Sequence, residues 1–339
     1  MSTSATTAPR TPERPSGCAT RSTRSALRPG RPIGASWRSP ADPPRRGRPV
    51  RRAPIAAGDA DSEARYRGFW ADVGNNFPDL GGARSTAQYR ADEEWLLRTH
   101  LPDLAGSRVL KTDLWDEARN TRILRWAAGR GAHAFGVDIS GAIVADARAG
   151  FAAAGLALGG VRGDVRKLPF RSGSFDAIYS MGTVEHFDDT DGALREIFRV
   201  LRPGGRAVIG VPNRRDPFLR PALVAALYHL GLYDYGFEKS YARPVFRRML
   251  ERAGFTVTAE TGILFIPGWL RMLDLACHTW LRPLGRLTGA LCAPFDLASR
   301  RWPWLRRHGY LLATVAVRPA TDEAAGARAV EPPAGEGAA

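Results

Sequence analysis

The sequence predicts an α/β fold, a doubly wound and mostly parallel sheet with helices on both faces. Three observations carry that reading. Phe175 to Ser180 run apolar like a buried parallel strand, Ala193 to Leu201 have helical spacing, and Pro203-Gly204-Gly205 turn the chain into a second apolar run, Ala207 to Val211. The alternation extends upstream: Arg108 to Leu110 read as a short strand, Asp116 to Ala128 as a helix, Ala132 to Val137 as a strand closing on Asp138, and Ala142 to Ala154 as a helix. Finally, roughly 280 residues beyond the first ~60 suit one domain carrying insertions.

The head of the chain differs in kind. Residues 1–58 hold twelve Arg against only Glu13 and Asp42, a local charge of +10 out of the total of +15. Pro, Ser and Arg dominate there without apolar periodicity, so burial cannot offset the entropy of ordering, and residues 1–60 are expected to be a disordered tail. Its basicity suits a nucleic-acid or anionic-membrane tether, an organellar transit peptide, or merely a solvated extension or sequence read from a misassigned start. Only Lys111, Lys167 and Lys239 are lysines, an Arg skew that suggests GC-rich coding.

Ser62 to Trp70 and Gln88 to His100 read as helices, giving an N-terminal helical cover over 61–104. The main domain is expected at 105–318, with a disordered C-terminal tail at 319–339. Ala242 to Ala253 form a further helix ended by Gly254, Phe255 to Glu260 a strand, and Leu311 to Val317 the last strand.

Two hydrophobic insertions decorate this core, at about 214–241 and 261–309. In the second, Trp269, Leu270, Met272, Leu273, Ala276, Cys277, Trp280 and Leu281 recur at helical spacing, while Arg271, Asp274 and His278 share the other side. The apolar side is expected to pack on the sheet or the first insertion; peripheral contact with a membrane, or a pocket for a greasy substrate, is the alternative. Cys18, Cys277 and Cys292 fit no metal spacing. They also leave an odd count for disulfides, so a reducing cytoplasm is expected, and the longest uncharged apolar run of the body, Pro221 to Tyr233, is too short to span a bilayer, so a soluble protein is expected.

Residues 161–211, VRGDVRKLPFRSGSFDAIYSMGTVEHFDDTDGALREIFRVLRPGGRAVIGV, together with GVDIS at 136–140, resemble the class I S-adenosylmethionine-dependent methyltransferases. They are most similar to the type 11 domain with its GD…LPF…SFD…EH…E…R.L.PGG signature. The resemblance covers roughly residues 105–260. It implies a Rossmann-like seven-stranded sheet whose last strand pairs antiparallel at the edge, leading helices over the cofactor, and S-adenosyl-L-methionine as that cofactor.

Carried onto this sequence, the resemblance implies that Asp138 accepts the ribose diol; an N-cap role before the next helix is the other reading. Ile139 would lie against the adenine, Asp164 would accept from its amino group while the Val165 amide donates to the ring, and a turn aspartate is the alternative for Asp164. The stretch from Ser180 to His186 would form the floor beneath the methyl group, with His186 as candidate base for a hydroxyl acceptor. Gly182 stands where an E-x-x-E-H metal site would have its first Glu, so no metal is expected.

The first strand departs from the family. Val109-Leu110-Lys111-Thr112-Asp113-Leu114-Trp115-Asp116-Glu117 contains no glycine where relatives have a glycine-rich loop. Strand alternation puts Lys111 and Asp113 on one face, which suggests an ammonium for the methionyl carboxylate and a carboxylate for its ammonium. Asn213, Tyr235, Glu238 and Tyr241 are polar groups amid apolar sequence and candidates for the acceptor site.

The leading expectation is methyl transfer to a small-molecule or lipid-like acceptor, at oxygen, without obligate nucleic acid. A non-catalytic adenosine- or S-adenosylmethionine-binding regulator is the alternative that the missing glycine loop suggests. A nucleic-acid-associated methyltransferase rests on the basic head alone.

Overall fold

A computed structural model describes residues 60–320, apart from 77, 102, 234, 235 and 237. The expected tails, 1–59 of the head and 321–339, therefore lie outside the described residues.

The chain enters through α1 (Ala60–Asn76) and α2 (Arg84–His100), then alternates: β1 (Arg108–Lys111), α3 (Trp115–Arg119), α4 (Ile123–Ala128), β2 (His133–Asp138), α5 (Gly141–Ala153), β3 (Leu158–Arg162), β4 (Phe175–Met181), α6 (Thr190–Val200) and β5 (Leu201–Pro212). After α7 (Arg220–His229) and α8 (Arg243–Arg252) come β6 (Thr256–Ile263), α9 (Gly268–Trp280), α10 (Gly285–Arg301) and β7 (Leu311–Val317). All seven strands form one sheet in the order β3-β2-β1-β4-β5-β7-β6. The pairs from β3 through β5 are parallel, and β7 is antiparallel to both β5 and β6.

That order has a physical cause. Val109, Tyr179 and Val208 point to one side of the sheet, and Leu110, Ile178 and Ile209 to the other, so period-2 alternation supplies an apolar layer on both faces. One layer is completed by Leu96 and Leu97 of α2 and Phe151 of α5, the second by Leu194 and Ile197 of α6 and Phe246 of α8. The order reverses between β1 and β4, which makes the carboxyl ends of those strands the natural place for a ligand.

Two expectations are corrected. The single helix expected over Asp116 to Ala128 is broken, because Arg122 takes a left-handed conformation (φ 60°) between α3 and α4. There its guanidinium pairs with Asp79 at 2.5 Å, while Glu117 accepts the Leu124 amide at 2.7 Å and the Arg125 amide at 3.1 Å and so starts α4 afresh.

The second correction concerns α9, which buries Leu270 and Cys277 of its apolar set together with Arg271 and Asp274 of its polar set, and leaves the rest of the apolar set turned outward. Arg271 and Asp274 are 7% and 1% exposed, whereas Trp269, Leu273 and Trp280 are 54%, 44% and 68% exposed. Asp274 accepts the Ser85 amide at the start of α2 and the Thr288 hydroxyl of α10, and Arg271 donates to the Ser85 carbonyl. Polar docking onto α2 thus decides which side faces in.

Candidate active site at the carboxyl edge of the sheet

The exit of β1 is built around one cation. Lys111 has no exposed surface, and its ammonium donates to both carboxylate oxygens of Asp113 at 3.0 Å, to the Asp113 carbonyl at 3.1 Å and to Asp116 at 3.4 Å. Burial lowers the Lys111 pKa, yet the surrounding Asp113, Asp116, Glu117 and Glu93 override it and hold the ammonium well above its ordinary value. Burial pushes the carboxyls of Glu93, Asp116 and Glu117 upward. The division of labour expected from the sequence is therefore corrected: Lys111 and Asp113 do share a face, but they pair with each other. Asp113 also accepts from the Thr183 hydroxyl at 2.9 Å, and its side chain keeps 20% exposure toward the strand exits.

The missing loop glycine is offset on the neighbouring strand. Leu114 is fully buried and folds back over Gly136 of β2, where an added Cβ would meet its Cδ2 at 2.3 Å. Asp116 accepts from the Asn120 side chain at 2.7 Å, and Glu117 caps α4, so these two acids of the glycine-free stretch serve the helices.

Asp138 closes β2. One carboxylate oxygen accepts the Leu114 amide at 2.9 Å and the other the Ser140 amide at 2.8 Å. Burial pushes its pKa up to about 6 against the pull of those two amides, with Asp113 raising it further and Lys111 lowering it. The N-cap of α5 is Ser140, whose hydroxyl accepts the Ile143 amide. Ile139 is half-buried beside Asp138, and Val165 is buried after β3. Ser180, fully buried in β4, is linked to Thr112 by a 2.7 Å hydroxyl contact.

Asp164 is held by Arg166 at 2.6 Å, and the same guanidinium grips Glu63 of α1 through two bonds of 2.8 Å. Helix α1 consequently crosses the strand exits. Its Tyr66 meets Phe187 at 5.8 Å between ring centroids, its Trp70 meets His186 edge-on at 4.8 Å, and its Gly74 lies against Ser140 and Ile143 at the start of α5.

At the exit of β4, Gly182 adopts φ 71° and turns the chain into a single 3-10 turn, Val184–His186. Glu185 is buried, with one carboxyl oxygen lacking a hydrogen-bond partner. Burial, and then the nearby Glu238, push its pKa well above the ordinary carboxylate range. Half-buried His186 stands next to it.

The acceptor candidates come together along one segment but are engaged by the protein. Glu238 binds Arg220 through both oxygens and accepts the Tyr233 hydroxyl at 2.7 Å. Burial raises its pKa, but Arg220, with a smaller contribution from His186, holds it below the ordinary value. Tyr241 meets Thr190 at 3.0 Å, and Asn213 donates to the Gly309 carbonyl at 2.9 Å while accepting the Arg215 amide. Asn213 also lines a cleft of about 540 Å³ with Arg215, Arg243, Arg247 and Arg307. Tyr235 lies outside the described residues.

Sequence reasoning missed the Glu63–Arg166–Asp164 clamp, whose ends are about a hundred positions apart, and the covering aromatics of α1. It also missed the buried state of Glu185, for which its place beside His186 was the available signal. Among the described residues no cluster of His, Cys, Asp and Glu could hold a metal.

A sheet of this order, with carboxylates at the exits of β1, β2 and β3 and an acid–histidine pair at the exit of β4, defines a nucleotide-cofactor domain of the methyltransferase type. The methyltransferase domain family matches residues 102–209. A demethylmenaquinone methyltransferase of Thermus thermophilus is 33% identical over 193 residues, 51% of this chain and 86% of that protein. A ubiquinone biosynthesis O-methyltransferase of Sinorhizobium fredii is 30% identical over 140 residues, 39% of this chain and 56% of that protein. Among solved structures, the [4+2]-cyclase SpnF shares the fold at a TM-score of 0.50 and 18% identity, covering 80% of this chain and 98% of that one. The chain belongs to the class I S-adenosylmethionine-dependent methyltransferases.

Proposed function

We propose that the protein methylates a hydroxyl of a small, lipid-like acceptor with S-adenosyl-L-methionine. The observation that carries this reading is the row of carboxylates Asp113, Asp138 and Asp164 beside Glu185-His186 at the strand exits. The cofactor contributes an electrophilic methyl group on a sulfonium centre. Asp138 has lone pairs left beyond its two backbone amides and can accept the ribose diol. Asp113 suits the amino-acid ammonium, with Lys111 holding that carboxylate in place and the fully buried Ser180 keeping the Thr112–Thr183 edge packed. Asp164 and the Val165 amide suit the adenine edge, with Ile139 against its face; Arg166 must then give up part of its hold on Asp164.

His186 takes the proton of the acceptor hydroxyl, and the negative charge of Glu238 favours the imidazolium that results. Glu185 adds a buried carboxyl oxygen without a hydrogen-bond partner in the protein, available to a polar group of the acceptor. The relative named as a ubiquinone biosynthesis O-methyltransferase makes quinol-type hydroxyls the first acceptors to assay.

The second reading, cofactor binding without transfer, is favoured by one observation: Arg166 already occupies Asp164 and ties it to α1. Calorimetry with S-adenosylhomocysteine followed by methyl-transfer assays on His186→Asn separates the two. Transfer predicts measurable binding and a loss of about 10²- to 10⁴-fold in kcat/KM with affinity retained. No binding to the wild-type chain sinks both readings, and binding without turnover on any hydroxyl acceptor supports the second.

A further inference from the structure

Helices α9 and α10 bury mixed stripes, with Leu270, Cys277 and Cys292 inside among polar groups, and expose a second apolar stripe to the outside. In α9 the buried positions include Arg271 and Asp274, and in α10 they are Thr288, Cys292, Asp296 and Ser299. The outward positions carry Trp269, Leu273 and Trp280 on α9 and Leu287, Leu291 and Leu297 on α10, each between 44% and 68% exposed. On α9 these three positions follow i, i+4 and i+11, which at 100° per residue fall within one narrow stripe. A surface helix in water shows the opposite arrangement, because apolar area gains by leaving water and charged groups lose by it.

The charge on this surface has one sign. Residues 264–309 contain two acids, Asp274 and Asp296, and both are buried in hydrogen bonds. Arg282, Arg286, Arg300, Arg301 and Arg307 are exposed. Apolar side chains with exposed tryptophans, in a segment whose exposed ionised groups are arginines, match the boundary between acyl chains and anionic headgroups. A second copy would bring the same cationic rim against itself, and the Arg-rich residues 1–58 carry the same charge with little apolar content to lay on the stripe.

We propose that the α9–α10 insertion is a membrane-surface anchor that rests in the headgroup region of an anionic bilayer with Trp269, Leu273, Trp280, Leu287, Leu291 and Leu297 toward the acyl chains. No helix among the described residues is long and apolar enough to cross a membrane, so the helices lie in the interface plane. The anchor stands on exposure and charge alone and is independent of the methyl-transfer reading.

The test uses the full chain with vesicles of phosphatidylcholine with and without phosphatidylglycerol, at low and at high salt. Binding is read by flotation, and insertion by quenching of tryptophan fluorescence with lipids brominated along the acyl chain. The proposal expects binding that is stronger on phosphatidylglycerol, survives high salt in part, and is accompanied by quenching. The triple variant Trp269→Ser, Leu273→Ser, Trp280→Ser removes only exposed side chains; it should keep its Tm and lose vesicle binding by at least about tenfold at high salt. Salt-labile binding without quenching would assign the contact to the basic head and overturn the proposal. So would unchanged binding of the triple variant, or a wild-type dimer in solution that this variant dissociates.

Discussion

Replacing Lys111 by Met tests whether one buried cation holds the β1 exit together. The side chain has no exposed surface and faces Asp113 and Asp116 directly, with Glu93 and Glu117 close enough to act on its charge. Methionine fills most of the volume, so the loss is electrostatic: the acids keep their burial and lose their counter-ion. Removing one partner of a buried pair costs about 3–5 kcal/mol. For a domain of this size that corresponds to a fall in Tm on the order of 10 °C.

The deficit should depend on pH with a definite sign. Glu93, Asp116 and Glu117 already have raised pKa values in the folded chain, and loss of Lys111 raises them further. The folded variant then binds more protons than its unfolded state, so its stability rises as pH falls. Thermal unfolding of wild type and variant from about pH 8 to about pH 5 should show the gap narrowing toward acid. Adding Asp113→Asn should recover part of the loss, because one uncompensated charge is gone. A variant as stable as the wild type, or a gap that does not move with pH, would refute the assignment of Lys111 as the central counter-ion.

Asp138, with its pKa pushed up to about 6, should impose a proton dependence on cofactor affinity. The ionised carboxylate is the acceptor, so calorimetry with S-adenosylhomocysteine should find Kd rising as pH falls through that value, approaching about tenfold per pH unit, and Asp138→Ala should abolish the dependence. If Asp164 takes the adenine, loosening the clamp should help: Glu63→Gln should change Tm little, as expected for a partly exposed pair, and tighten S-adenosylhomocysteine by about two- to fivefold. Weaker binding in that variant would instead make Glu63 part of the ligand site.

Much of the fold was legible because it rests on local periodicity. The strands ending at Asp138 and Ser180, the helix after Ala142, and the last antiparallel strand at Leu311 need only runs of apolar residues and their punctuation. The break at Arg122 was not legible, because it depends on a carboxylate at Asp79 that no local pattern connects to it.

The site was read by position better than by partner. Asp113, Asp138 and Asp164 stand at strand exits as expected, but the sequence could not tell that Lys111 turns to Asp113, that Arg166 reaches Glu63, or that Glu238 is held by Arg220. For α9 the helical spacing identified the helix, but the apolar set it grouped together is split: Leu270 and Cys277 face in, whereas Trp269, Leu273 and Trp280 face out. Hydrophobicity alone does not decide between two sides when polar groups of a neighbouring helix, here the Ser85 amide and carbonyl, select one of them.

The insertion that carries α9 and α10 leaves the sheet at Ile263 and rejoins it at Leu311, and these two residues face each other on the same rung of the β6–β7 ladder. In topology the whole excursion is the loop of a β-hairpin. Because closure entropy grows only with the logarithm of loop length, such a loop can lengthen or shorten at small thermodynamic cost. The rung also fixes the strand register independently of what lies between. Change within this segment is therefore constrained by the residues it packs into the core, Leu264, Ile266, Leu270 and Cys292, and not by the register of the strands it joins.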